Sequence, residues 1–141
     1  MEELLAYAYL MGEGFDLEKM YEEKLNELFI LNPDDEDLLE LEFLSSNLKE
    51  SIIYIKTHIN YKDLDIHKFG KEFMDLLKPI YKSMDINKFG LWMYSVWEGL
   101  AGNLQDKEPF FTLCYADDPL SWGDEKQSRE IYEKMLSYYD E

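Results

Sequence analysis

Asp65-Ile66-His67-Lys68-Phe69-Gly70 returns 20 residues later as Asp85-Ile86-Asn87-Lys88-Phe89-Gly90, and this echo decides the fold. Beyond each copy the apolar residues stay in register: Ile66, Phe69, Phe73, Leu76, Leu77, Ile80 and Met84 fall on Ile86, Phe89, Met93, Val96, Trp97, Leu100 and Leu104. Steps of three and four residues trace one face of a helix, so two successive helices share one design. Asp65 and Asp85 stand where an N-cap belongs, with a side-chain oxygen ready for the first free backbone N–H groups. Only Ser83 and Met84 are left for the link, which predicts residues 65–82 and 85–104 as superposable helices packed as an antiparallel hairpin. Pro79 removes a backbone donor inside the first of them, so a kink or an early end is expected there, and Gly99 holds the matching place in the second. Two copies are too few to close a core by themselves, and flanking helices must complete it.

Working outward, Leu4, Leu5, Ala8 and Met11 share one face of a short helix from Glu2 to Met11, which Gly12 and Gly14 end. Asp16 is placed to cap the next, whose stripe is Leu17, Met20, Tyr21, Leu25, Leu28 and Phe29 and which Asn32-Pro33 breaks. The acids of Asp34 to Asp37 suit the positive end of a helix dipole. A single long helix over residues 35–59 then follows from Leu38, Leu41, Leu44, Leu48, Ile52, Ile55 and Ile59, and the extra Leu39, Phe43 and Ile53 predict burial on more than one side. Residues 108–116 are apolar and aromatic but too short to assign by period; a short buried helix is preferred to a strand because no partner strand is visible. Asp117 to Gly123 is turn chemistry, and a last helix runs from Asp124 to Tyr139 with Ile131, Tyr132, Met135, Leu136 and Tyr139 inward. The expected fold is all-α: a single-domain bundle of about six or seven helices over residues 1–141, with the repeat hairpin at 65–104.

The chain carries 31 acidic and 14 basic residues, a net charge of -17. Such a surface repels nucleic acid and anionic membranes. The acid sits at the ends: residues 1–64 carry 16 acids against 5 bases, the repeat is balanced, and residues 105–141 carry 10 against 4. Two readings fit, simple solubility or electrostatic steering of a basic partner, with aromatic contacts supplying affinity. The start Met1-Glu2-Glu3 lacks the positive region of a secretory signal, and no apolar run reaches the length of a membrane helix, so a cytoplasmic protein is expected.

No catalytic or metal-binding pattern stands out, and neither a cofactor nor enzymatic activity is expected. There is no glycine-rich phosphate loop, no HExxH and no CxxC. His58 and His67 lack the acid three residues earlier that a di-iron bundle uses, and Asp34-Asp35-Glu36-Asp37 lacks the glycine and terminal Glu of a calcium loop. Cys114 lies in an apolar run followed by two acids, which suits a buried core thiol rather than a nucleophile.

Two contact clusters remain. Asp117, Asp118, Asp124 and Glu125 surround Trp122 in a loop with Pro119 and Gly123; either Trp122 anchors a partner, or it plugs the core while Asp124 caps the last helix. In the repeat, Trp97 lies on the apolar stripe and reads as core, which leaves Trp92 as the contact candidate.

In size, unpaired Cys, acidity and the aromatic acidic stretch from Glu108 to Glu125, the chain resembles the small acidic immunity proteins that bacteria encode beside secreted toxins. That resemblance implies a non-catalytic binder of a basic toxin, such as a nuclease domain, with the carboxylates meeting Lys and Arg and Trp122 or Trp92 anchoring the interface. An intracellular helical adaptor and a DNA-mimic inhibitor of a nucleic-acid-binding protein are the alternatives.

Overall fold

Both repeat copies start as their sequence requires. In a computed structural model, which describes residues 1–140, Asp65 accepts a hydrogen bond from the Lys68 amide at 3.1 Å and Asp85 accepts from the Asn87 and Lys88 amides at 3.1 and 3.3 Å. Eight α-helices and three short 3-10 turns make up the secondary structure, and no strand occurs among the described residues. The fold is therefore all-α, with seven helices of eight residues or more among the described residues. Backbone contacts group into two compact units, Met1–Leu64 and the chain from Asp65 onward.

The first unit holds α1 (Glu2–Gly12), α2 (Glu18–Leu31), α3 (Glu36–Phe43) and α4 (Leu48–His58), followed by a 3-10 turn at Tyr61–Asp63. α1 packs chiefly on α4 and also on α2, and α2 packs on α3. Every residue of α1 from Leu4 to Met11 is buried, not one face alone, which agrees with a run that carries no charge after Glu3. Three expectations are corrected here. Residues 35–59 are two helices: the chain leaves helix after Phe43 and restarts at Leu48, where the Asn47 side chain accepts from the Glu50 amide at 3.2 Å. The buried Ser51 hydroxyl donates to the Leu44 and Asn47 carbonyls, each at 3.1 Å, which adds a second donor to two acceptors that the Asn47 and Ser51 amides already engage across the break. Splitting the helix also turns Leu39, Phe43 and Ile53 outward, Phe43 to 74% exposure. Finally, α2 begins at Glu18 with Leu17 in the cap position and no side-chain cap, so Asp16 does not cap it, and Met20 is exposed.

The second unit holds α5 (Ile66–Ser83), α6 (Ile86–Gly99), the single turn α7 (Gly102–Gln105), 3-10 turns at Phe110–Cys114 and Asp118–Trp122, and α8 (Glu125–Leu136). α5 passes through Pro79 without ending early, whereas the second copy stops at Gly99, turns extended at Leu100 and resumes as α7, so residues 85–104 are not the single helix expected. Each phenylalanine of the echo sits in a three-ring cluster. Phe69 lies 5.5 Å from Phe73 and 5.3 Å from Phe110, while Phe89 lies 5.2 Å from Tyr81 and 5.0 Å from Tyr132. Tyr81 and Phe89 join α5 to α6 near their short link, but the densest backbone packing of α5 is against α8 and that of α6 against the Phe110–Cys114 turn. Within 108–116 the chain is helical over Phe110–Cys114, in the tighter 3-10 form, with Phe110, Thr112 and Leu113 buried.

Candidate functional site

The loop of Asp117 to Glu125 is built by its own backbone. Gly123 takes φ +82°, which only glycine adopts without strain, and closes the Asp118–Trp122 turn by donating to Leu120. The Asp124 amide then donates to the Pro119 carbonyl at 2.9 Å, while its carboxylate accepts from the Gln127 amide at 3.0 Å and starts α8. Pro119 is buried beneath the turn, and the buried Ser128 hydroxyl ties α8 to the Ala116 carbonyl at 2.8 Å. These bonds hold the loop without the indole. Trp122 stands 64% exposed and does not plug the core.

The five loop residues divide by role. Asp118 and Asp124 are exposed beside Trp122, and Glu125 is exposed with Arg129 donating to it at 3.1 Å. Asp117 turns inward: a Cβ placed on Gly90 would come within 2.8 Å of the Asp117 Cβ, so the side chain occupies room that the glycine of the second repeat leaves. Burial pushes its carboxyl above the ordinary value; a backbone hydrogen bond pulls the other way and the Asp118 charge adds to the rise. The buried Tyr132 hydroxyl has no hydrogen-bond partner among the described residues, and burial first, then Asp117, raises its pKa.

Trp92, the remaining candidate, is half-buried on α6, two residues past Gly90. Trp97 is also half-buried rather than core, because its indole N–H reaches out to donate to the Gln105 carbonyl at 3.1 Å while Gln105 donates back to the Trp97 carbonyl at 3.0 Å. Cys114 is likewise only half-buried; burial raises its pKa, a backbone hydrogen bond opposes the rise, and the nearby Asp118, Asp117 and Glu108 add to it.

Sequence patterning overlooked several exposed rings. Tyr115 and Tyr138 flank a cleft of about 400 Å³ between the Glu108–Tyr115 segment and α8, with Ile131, Met135, Glu108 and Lys134 also on its walls. Tyr138 falls off the inward stripe of the last helix, which was the available signal for it, while Tyr115 lies in a stretch too short to show a stripe.

His58 stacks on Tyr54 at 3.8 Å and His67 meets Tyr139 edge-on at 5.1 Å, so the two imidazoles are spent on separate ring contacts. Among the described residues no group of three or more His, Cys, Asp or Glu side chains is placed to hold a metal ion, and no helix is long and apolar enough to cross a membrane. Compared with protein-family models, with curated proteins and with solved structures, the chain matches none.

Proposed function

We propose that this protein is a non-catalytic binding module, an immunity protein that neutralises a basic toxin in the cytoplasm by covering it with an acidic aromatic surface. The observation that carries the reading is Trp122, left 64% exposed in a loop whose hydrogen bonds do not need it and whose exposed residues include Asp118 and Asp124. A large ring left in water beside fixed charges is the composition of an interface anchor. Asp117 drops out of the contact set because it faces α6. The adaptor alternative keeps one observation in its favour: Ile30, Leu31 and Phe43 of the first unit are strongly exposed as well.

The test is binding to the basic protein encoded beside this gene, or captured from the native cell, measured as association and dissociation rates. Trp122→Ala should speed dissociation by about 2 kcal/mol or more. Asp118→Asn with Asp124→Asn should slow association while keeping the α8 cap, since Asn caps helices as well as Asp. If a partner binds and neither change alters it, the loop is structural, and the acidic helix start from Asp34 to Glu42 becomes the next candidate.

A further inference from the structure

We propose that the cleft between Glu108–Tyr115 and α8 is a socket for a lysine or arginine side chain of the basic partner, an inference that rests on the function proposed above. Its composition selects that occupant. Ile131 and Met135 give an apolar floor for an aliphatic stem, and the faces of aromatic rings such as Tyr115 and Tyr138 attract a cation. Glu108 supplies the countercharge, and its carboxylate is held in place by the Thr112 hydroxyl, which donates to it at 3.0 Å.

The walls are braced before anything binds. Phe111 packs on Tyr115 at 5.7 Å and Tyr139 packs edge-on to Tyr138 at 5.0 Å, yet Tyr115 and Tyr138 remain 37% and 55% exposed. Residues 65–141, the part of the chain that carries the cleft, hold 15 acids against 9 bases, and this negative excess concentrates cations here and disfavours a carboxylate occupant. Lys134 is the only cation on the walls among the described residues, so it opposes the same occupant that Glu108 attracts. Their substitutions must therefore act with opposite signs.

The experiment is a methyl NMR titration of the whole chain, labelled at Ile and Met, with the amides of N-acetyl-arginine, N-acetyl-norleucine and N-acetyl-glutamate. The arginine probe should move the Ile131 and Met135 signals with an affinity on the order of 1 mM, while the buried Met93 stays put. Glu108→Gln and Tyr138→Ala should each weaken binding roughly fivefold, and Lys134→Gln should strengthen it. Preference for the norleucine or glutamate probe, an unchanged affinity in Glu108→Gln, or no shift at Ile131 and Met135 overturns the socket. No protein partner is used, so failure here leaves the Trp122 surface standing. A socket that binds arginine in a chain with no basic partner would reject the function instead.

Discussion

Gly70 and Gly90 occupy the same place in the two repeat copies, and each receives a side chain from elsewhere in its unit. Tyr139 lies against Gly70, where an added Cβ would overlap its ring, and Asp117 lies against Gly90. Gly70→Ala and Gly90→Ala should each cost about 1 to 3 kcal/mol through overpacking, whereas Gly102→Ala, with nothing within 4 Å, should be close to neutral; urea unfolding of the three variants decides this. Asp117 allows a test with a definite pH signature. The folded chain holds this proton more tightly than the unfolded chain does, so ionisation costs stability as pH rises through the unfolded and then the folded value. Asp117→Asn should therefore raise the melting temperature at pH 7, and the gain should fade as pH drops below the ordinary Asp value of about 4. A constant gain at every pH would mean that shape rather than charge is responsible.

Helix starts explain which elements were legible. Asp65, Asp85, Asn47 and Asp124 all cap through their side chains, and three of the four were visible as an Asp just ahead of a periodic run. Asn47 was not, because the apolar steps from Leu38 to Ile59 continue in phase across the break and conceal it. The signal present was Ser45-Ser46-Asn47 with Glu50 three residues on, a pattern that offers the backbone a restart. Asp65→Ala, Asp85→Ala and Asn47→Ala should each lose about 1 kcal/mol, and Asp16→Ala, which removes no cap, should lose almost none by the same unfolding measurement.

Charge belongs to the whole chain. At -17 its potential would reach the basic partner proposed above before any contact forms, and the reach shrinks as the Debye length falls from about 10 Å at 0.1 M salt to about 3 Å at 1 M. Association with that partner should slow steeply over this range while dissociation changes little, as stopped-flow measurements at several salt concentrations would show. An on-rate indifferent to salt would assign the acid to solubility.

By itself the sequence determined the all-helical class, the paired design of α5 and α6, their Asp caps and the burial of Phe69, Phe73, Leu77, Phe89 and Met93, because period and capping are local properties that each segment carries whatever surrounds it. Tertiary structure alone decided that Trp122 stays in solvent, that Asp117 turns in against Gly90, that Trp97 reaches out to Gln105, and that Tyr115 and Tyr138 flank a cleft. Those outcomes depend on which distant element covers a residue. A helical stripe states that a side chain wants cover, and only the packed chain states whether cover arrives.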